Sequence, residues 1–177
     1  MRNHTETGAG RVALVGVLAA LSLIALYLSA VSPTARMDIV AIAGLFPAGA
    51  VVSAGLKAGF FCYGAAGLLG LLLVPDKANA LLYLLFFGLW PMLKSLLERI
   101  PVRPLEWLCK LAVFNAVLTL FWFGLHSLFL PFLPETLQAP WMVYAAGNAA
   151  FVIYDVGFSK LISFYVARVD RVLRKTS

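Results

Sequence analysis

Six uninterrupted apolar runs, at roughly 12–31, 38–56, 58–74, 78–97, 105–131 and 139–165, constrain this chain more than any other feature of it. A helix needs roughly 20 apolar residues to cross the hydrocarbon core of a bilayer, and each run is close to that length or exceeds it. Hydrocarbon offers no water to pair with backbone N–H and C=O groups, so only helices and closed barrels span it. Barrel strands alternate apolar and polar residues, whereas these runs are continuously apolar. Pro33, Pro75, Pro101, Pro104, Pro134 and Pro140 fall at the breaks between runs, where helices end. Pro47 and Pro91 lie inside runs and are expected to kink them. The pattern predicts an all-α integral membrane protein built as a bundle of six transmembrane helices.

Composition agrees. Of 177 residues, 62% are hydrophobic and 12% charged, about half the charged share of a soluble domain. No soluble domain, repeat or low-complexity segment is legible. Residues 1–11 read as a cytoplasmic amino-terminal tail, 12–167 as the six-helix domain and 168–177 as a basic cytoplasmic tail. The first run is too long for the apolar core of a signal peptide, which predicts a retained helix.

The net charge of +6 is explained by topology rather than by nucleic acid, since the basic residues sit between apolar runs and at the ends. With the amino terminus inside, twelve of the fourteen Lys and Arg residues fall on the inner side and only Arg36 and Lys77 on the outer. That asymmetry predicts cytoplasmic termini and a multi-pass protein of the bacterial cytoplasmic membrane, with the lipid bilayer as its first partner.

Cys62 and Cys109 form no disulfide framework and read as small apolar fillers. No Cys/His cluster has metal-ligand spacing, and no nucleophile elbow, HExxH or phosphate loop occurs, so neither an enzyme nor a cofactor is expected. The stretch FFGLWPMLKSLLERIPVRPLEW turns abruptly from apolar to charged at the junction of the fourth and fifth runs. Lys94 and Glu98, like Glu106 and Lys110, are spaced i,i+4 and able to pair along one helix. A solvated hairpin with snorkelling lysines is the simpler reading of this stretch, and a docking surface the sharper one.

Polar groups at membrane depth usually face a bundle interior, so their helical phase is informative. Asn115, Thr119, Trp122 and His126 share one stripe of the fifth helix. Trp141, Tyr144, Asn148 and Asp155 share one of the sixth, and Tyr83, Phe87, Trp90 and Lys94 one of the fourth. These faces either enclose a small-molecule site open to the outside, with Trp90, Asn115, Trp122, His126, Trp141, Tyr144 and Asn148 as ligand-binding residues, or pack helices together. Asp155 is expected to pair with an inner-side lysine rather than to bind a ligand. Gly16-x-x-x-Ala20 and Gly55-x-x-x-Gly59 permit close helix approach, and Gly64, Gly67 and Gly70 thin the third helix.

Through GLKAGFFCYGAAGLLGLLLVPDK, LLYLLFFGLWPMLKSLLERI and LEWLCKLAVFN, the chain resembles the S components of energy-coupling factor transporters and S-component-like membrane proteins of Gram-positive bacteria, over roughly residues 10–165. The resemblance implies a substrate-binding membrane subunit that captures a vitamin-like small molecule. It also implies a transmembrane coupling subunit with two ATPases, docked through Gly16 and Ala20 of the first helix. A membrane scaffold of the MreD type in cell-envelope morphogenesis is the alternative of similar size and helix count.

Overall fold

The computed structural model describes residues 4–32, 34–125 and 139–175, with side chains described from 8 to 167 within those bounds. Among these residues the regular structure is helical: α1 (His4–Val31), α2 (Arg36–Ala43), α3 (Leu45–Ala54), α4 (Leu56–Leu73), α5 (Lys77–Leu82), α6 (Trp90–Leu97), α7 (Arg103–Thr119) and α8 (Pro140–Lys175). Widened π-helical turns, Tyr83–Phe87 and Leu120–Gly124, continue α5 and α7. Among the described residues, six spans are long and apolar enough to cross a membrane: Gly8–Val31, Arg36–Ala54, Leu56–Leu73, Lys77–Leu97, Arg103–Gly124 and Pro140–Ala167. By helix length and composition this is an all-α, multi-pass membrane protein. Large apolar side chains line its outside, Leu72 at 76% and Phe123 at 77% exposure, a surface suited to acyl chains rather than water. The chain divides into two compact units, Met1–Ile100 and Pro101–Ser177.

In the first unit, both internal prolines interrupt their spans as expected. Pro47 has no N–H for the carbonyl of Ala43, and α2 gives way to α3 at Gly44. Ser22 of α1 fills that gap, its hydroxyl donating to the Ala43 carbonyl at 2.9 Å. The Ser22 oxygen is also hydrogen-bonded to the Tyr83 hydroxyl at 3.0 Å, so one buried serine joins three spans. Pro91 likewise frees the carbonyl of Phe87 at the end of the first π turn. Gly44 packs on that carbonyl so closely that an added Cβ would collide with it. The Tyr63 hydroxyl donates to the Leu84 carbonyl of the same widened turn at 2.9 Å.

The small residues divide differently from the sequence expectation. Gly59, Gly67 and Gly70 do sit against neighbouring side chains, while Gly16 and Gly64 have open space where a Cβ would stand. Gly55 is no packing residue but the turn between α3 and α4, at φ 92° and ψ 173°, a region essentially closed to side chains.

The expected i,i+4 pairs are present, Lys94 to Glu98 at 2.9 Å and Lys110 to Glu106 at 2.6 Å. Their setting differs from a solvated hairpin, because Lys94 and Lys110 are each only 2% exposed. The sequence shows the partner one turn away but not the side chains that close over the lysine from elsewhere in the fold.

In the second unit α7 and α8 run antiparallel. The fifth span is helical to Gly124, and the part of that run beyond 125, including His126, lies outside the described residues. α8 continues unbroken through the basic segment to Lys175. Its 36 residues extend about 54 Å at 1.5 Å each, well beyond a hydrocarbon core of about 30 Å.

Candidate functional site

The polar residues of the fifth and sixth spans meet in one seam within the second unit. At one end, Lys110 Nζ lies 2.6 Å from Glu106 Oε1 and 3.1 Å from Asp155 Oδ2. The Lys110 and Asp155 side chains are each 2% exposed. The Trp107 ring lies 5.3 Å from the same ammonium, within cation–π range. This is the lysine partner expected for Asp155. Taking two charges out of water is costly unless each is paired, and here the second carboxylate supplies part of the compensation. One turn further along, Phe114 stacks on Phe151 with ring centroids 4.5 Å apart and an interplanar angle of 12°.

Next come the two asparagines. Asn115 Nδ2 donates to Asn148 Oδ1 at 2.9 Å, and Asn148 Nδ2 donates back to Asn115 Oδ1 at 3.0 Å. Each amide nitrogen also donates to the carbonyl one turn earlier in its own helix, Leu111 and Tyr144 respectively, both at 2.8 Å. A carbonyl only accepts, so these backbone bonds fix which amide atom is nitrogen. Gly147 lets this close approach happen, since a Cβ there would press on Leu118 at 3.2 Å.

Beyond the amides, Thr119 Oγ1 donates to the Asn115 carbonyl at 2.7 Å and lies 2.7 Å from the Tyr144 hydroxyl. Thr119 is exposed and Asn115, Tyr144 and Asn148 are half-buried. The pairs ascend one helix as they descend the other, and continuing that register brings Trp122 and Trp141 to a common level. Trp122 is buried and Trp141 is 68% exposed. The second π turn, Leu120–Gly124, contains Trp122, and such turns recur at functional sites.

The structure thus brings Asn115, Tyr144 and Asn148 into one hydrogen-bonded set, with Thr119 as a member that the sequence stripe also contained. Trp90 belongs to the first unit, fully buried and stacked on Phe86 at 5.5 Å. Gly16 and Ala20 lie on an exposed face of α1. Sequence reasoning missed Asn79, which is 0% exposed, with neither Oδ1 nor Nδ2 hydrogen-bonded among the described residues. Its signal was available, as an amide in the first turn of an apolar run. No cluster of His, Cys, Asp and Glu suited to a metal occurs among the described residues.

Comparison with protein-family models, with curated proteins and with solved structures returns no match.

Proposed function

We propose that this protein is the substrate-binding membrane subunit of an uptake transporter for a small, vitamin-like molecule, with a separate ATPase module supplying the energy. The observation that carries this reading is the α7–α8 seam. It holds polar side chains at mid-span depth with its hydroxyl end accessible, and a lipid-facing helix pair has no use for accessible hydroxyls there. In this reading the ligand rests against Trp122, Trp141 and Tyr144, with Asn115 and Asn148 beneath it. The role is capture rather than catalysis. The open space at Gly16, on the same exposed face as Ala20, supports a transmembrane coupling partner seated against α1. The orientation with both termini cytoplasmic, in the bacterial cytoplasmic membrane, rests on the distribution of basic residues.

One observation favours the scaffold of cell-envelope morphogenesis instead: Asn115 and Asn148 satisfy each other, as amides that only pack helices do. Native mass spectrometry of the protein isolated from its own membranes separates the two. A bound small molecule, together with a membrane subunit and ATPases, is the expected result. Copurification with cell-wall synthesis proteins alone, and no small molecule, overturns the transport reading.

A further inference from the structure

Two cross-links fix how α2 and α5 lie together in the first unit. At one end, Arg36 Nη1 lies 3.4 Å from Asp76 Oδ2. Deeper in, the Ser22 hydroxyl joins the Ala43 carbonyl to the Tyr83 hydroxyl. Ala43 follows Arg36 by seven positions, as Tyr83 follows Asp76, so the two helices run parallel and in step for about 10 Å. Arg36, Val40 and Ala43 share one face of the first helix, and Asp76, Asn79 and Tyr83 one face of the second. Val40 and Asn79 therefore fall in the interval between the cross-links, each 0% exposed. Asn79 lies roughly one turn behind the ion pair, with neither amide atom hydrogen-bonded among the described residues.

The ion pair and the amide act in opposite directions. An unpaired amide in an apolar interior raises the free energy of the closed arrangement, and water would satisfy both of its polar atoms. The ion pair holds the helix ends together, but weakly. One guanidinium nitrogen meets one carboxylate oxygen, and the two side chains are 38% and 25% exposed, so water and salt screen the attraction. Lys77, beside Asp76, adds nothing to it, since its ammonium donates to the Leu72 and Val74 carbonyls instead. The other Asp76 oxygen accepts from the Ala78 N–H at 3.0 Å and caps α5. The deeper cross-link differs, because Ser22 and Tyr83 are both fully buried.

We infer that the Arg36 end of α2 and the Asp76 end of α5 form a gate, latched by their ion pair and biased towards opening to water by the Asn79 amide behind it. Opening parts the two helix ends and hydrates both amide atoms. The Ser22–Ala43–Tyr83 junction, one turn deeper, stays joined and is where the opening stops. The gate belongs to the first unit alone, so it stands or falls apart from the ligand-binding reading of the α7–α8 seam.

The test is amide hydrogen exchange, read by mass spectrometry on the full-length protein in phosphatidylcholine nanodiscs. Peptides covering Arg36–Ala43 and Lys77–Leu82 report the gate, and those of α4 serve as the reference within the same unit. Asp76→Asn keeps a side-chain oxygen to cap α5 but removes the charge of the latch. It is expected to speed exchange in the gate peptides roughly two- to fivefold, the worth of an exposed ion pair. Arg36→Gln leaves the cap untouched and is expected to do the same. Raising the salt from about 0.05 M to about 0.5 M should speed the wild-type gate and neither charge variant. Asn79→Leu removes the bias and should slow the gate roughly fivefold or more, with α4 unchanged. Unchanged exchange in both charge variants overturns the latch. Equal slowing of α4 by Asn79→Leu overturns the gate, because the amide then weakens the whole unit rather than its end. Faster exchange in Asn79→Leu overturns the bias, since the amide would then be holding the ends together.

Discussion

Lys110 divides its ammonium between Glu106 and Asp155, and the two carboxylates are not equivalent. Glu106 keeps 16% side-chain exposure, whereas Asp155 keeps 2%. Lys110→Met removes the ammonium that both carboxylates touch and should cost about 3–5 kcal/mol of stability. Asp155→Leu leaves Lys110 with Glu106 and should cost less. The double variant, which replaces the buried pair by apolar groups, should recover most of the loss. Thermal unfolding in detergent ranks the three, and equal losses for both single variants would contradict the shared ammonium. Asn79 poses the opposite case. A buried unpaired amide costs roughly 1–3 kcal/mol, and Asn79 has no partner among the described residues, so Asn79→Leu, of similar volume, should raise the unfolding temperature. A fall instead would mean that a group outside the described residues, water or a ligand pairs the amide. The Lys110–Asp155 partnership was legible in outline, because an acid at membrane depth demands a base, but which lysine was not. That depends on the antiparallel register of α7 and α8, which no local pattern encodes. The amide pair was similarly half-legible: helical phase put Asn115 and Asn148 on inward faces, without showing that they face each other.

The helices break where a proline removes a donor, and at Pro47 the Ser22 hydroxyl of another span supplies what is missing. Gly44 marks the tightest of these places. Gly44→Ala should destabilise the first unit by at least 1 kcal/mol, typical of overpacking against backbone, since the Phe87 carbonyl cannot swing aside as a flexible side chain could. Gly16→Ala is the matched control, with nothing within 4 Å of the new methyl. It should be neutral or slightly stabilising, because alanine favours helix over glycine. If the two behave alike in thermal unfolding, the close approach at Gly44 is wrong. The sequence located both prolines but not the two π turns, because widened turns follow from how neighbouring spans pack. It also treated Gly55 and Gly59 as one motif. One is a turn that needs φ 92° and the other a contact, and residue identity alone does not separate these uses. Trp141 keeps nearly the phase of Asn148 at about 100° per residue, yet it is exposed, one residue from the start of α8.

At the scale of the whole molecule, the sidedness proposed for the six spans rests on charge alone, and the transport reading depends on it. An outward-facing ligand site requires the hydroxyl end of the seam, at Thr119 and Tyr144, to lie nearer the outer surface than the Lys110 cluster does. The proposed orientation keeps twelve basic residues on the cytoplasmic side, and only Arg36 and Lys77 stand against it. Arg36 is tied to Asp76 at 3.4 Å, and Lys77 donates to the Val74 carbonyl at 2.8 Å. Both cations are anchored at the ends of their spans, and they are two against twelve in the proposed orientation. A variant lacking Cys62 and Cys109 allows this to be read directly. Thr34→Cys, in the exposed turn before α2, should react with a membrane-impermeant maleimide in intact cells. Val102→Cys, at 52% exposure before α7, should react only after permeabilisation. The reverse pattern would turn the seam around, set its hydroxyl end toward the cytoplasm, and make capture from outside untenable whatever the seam binds.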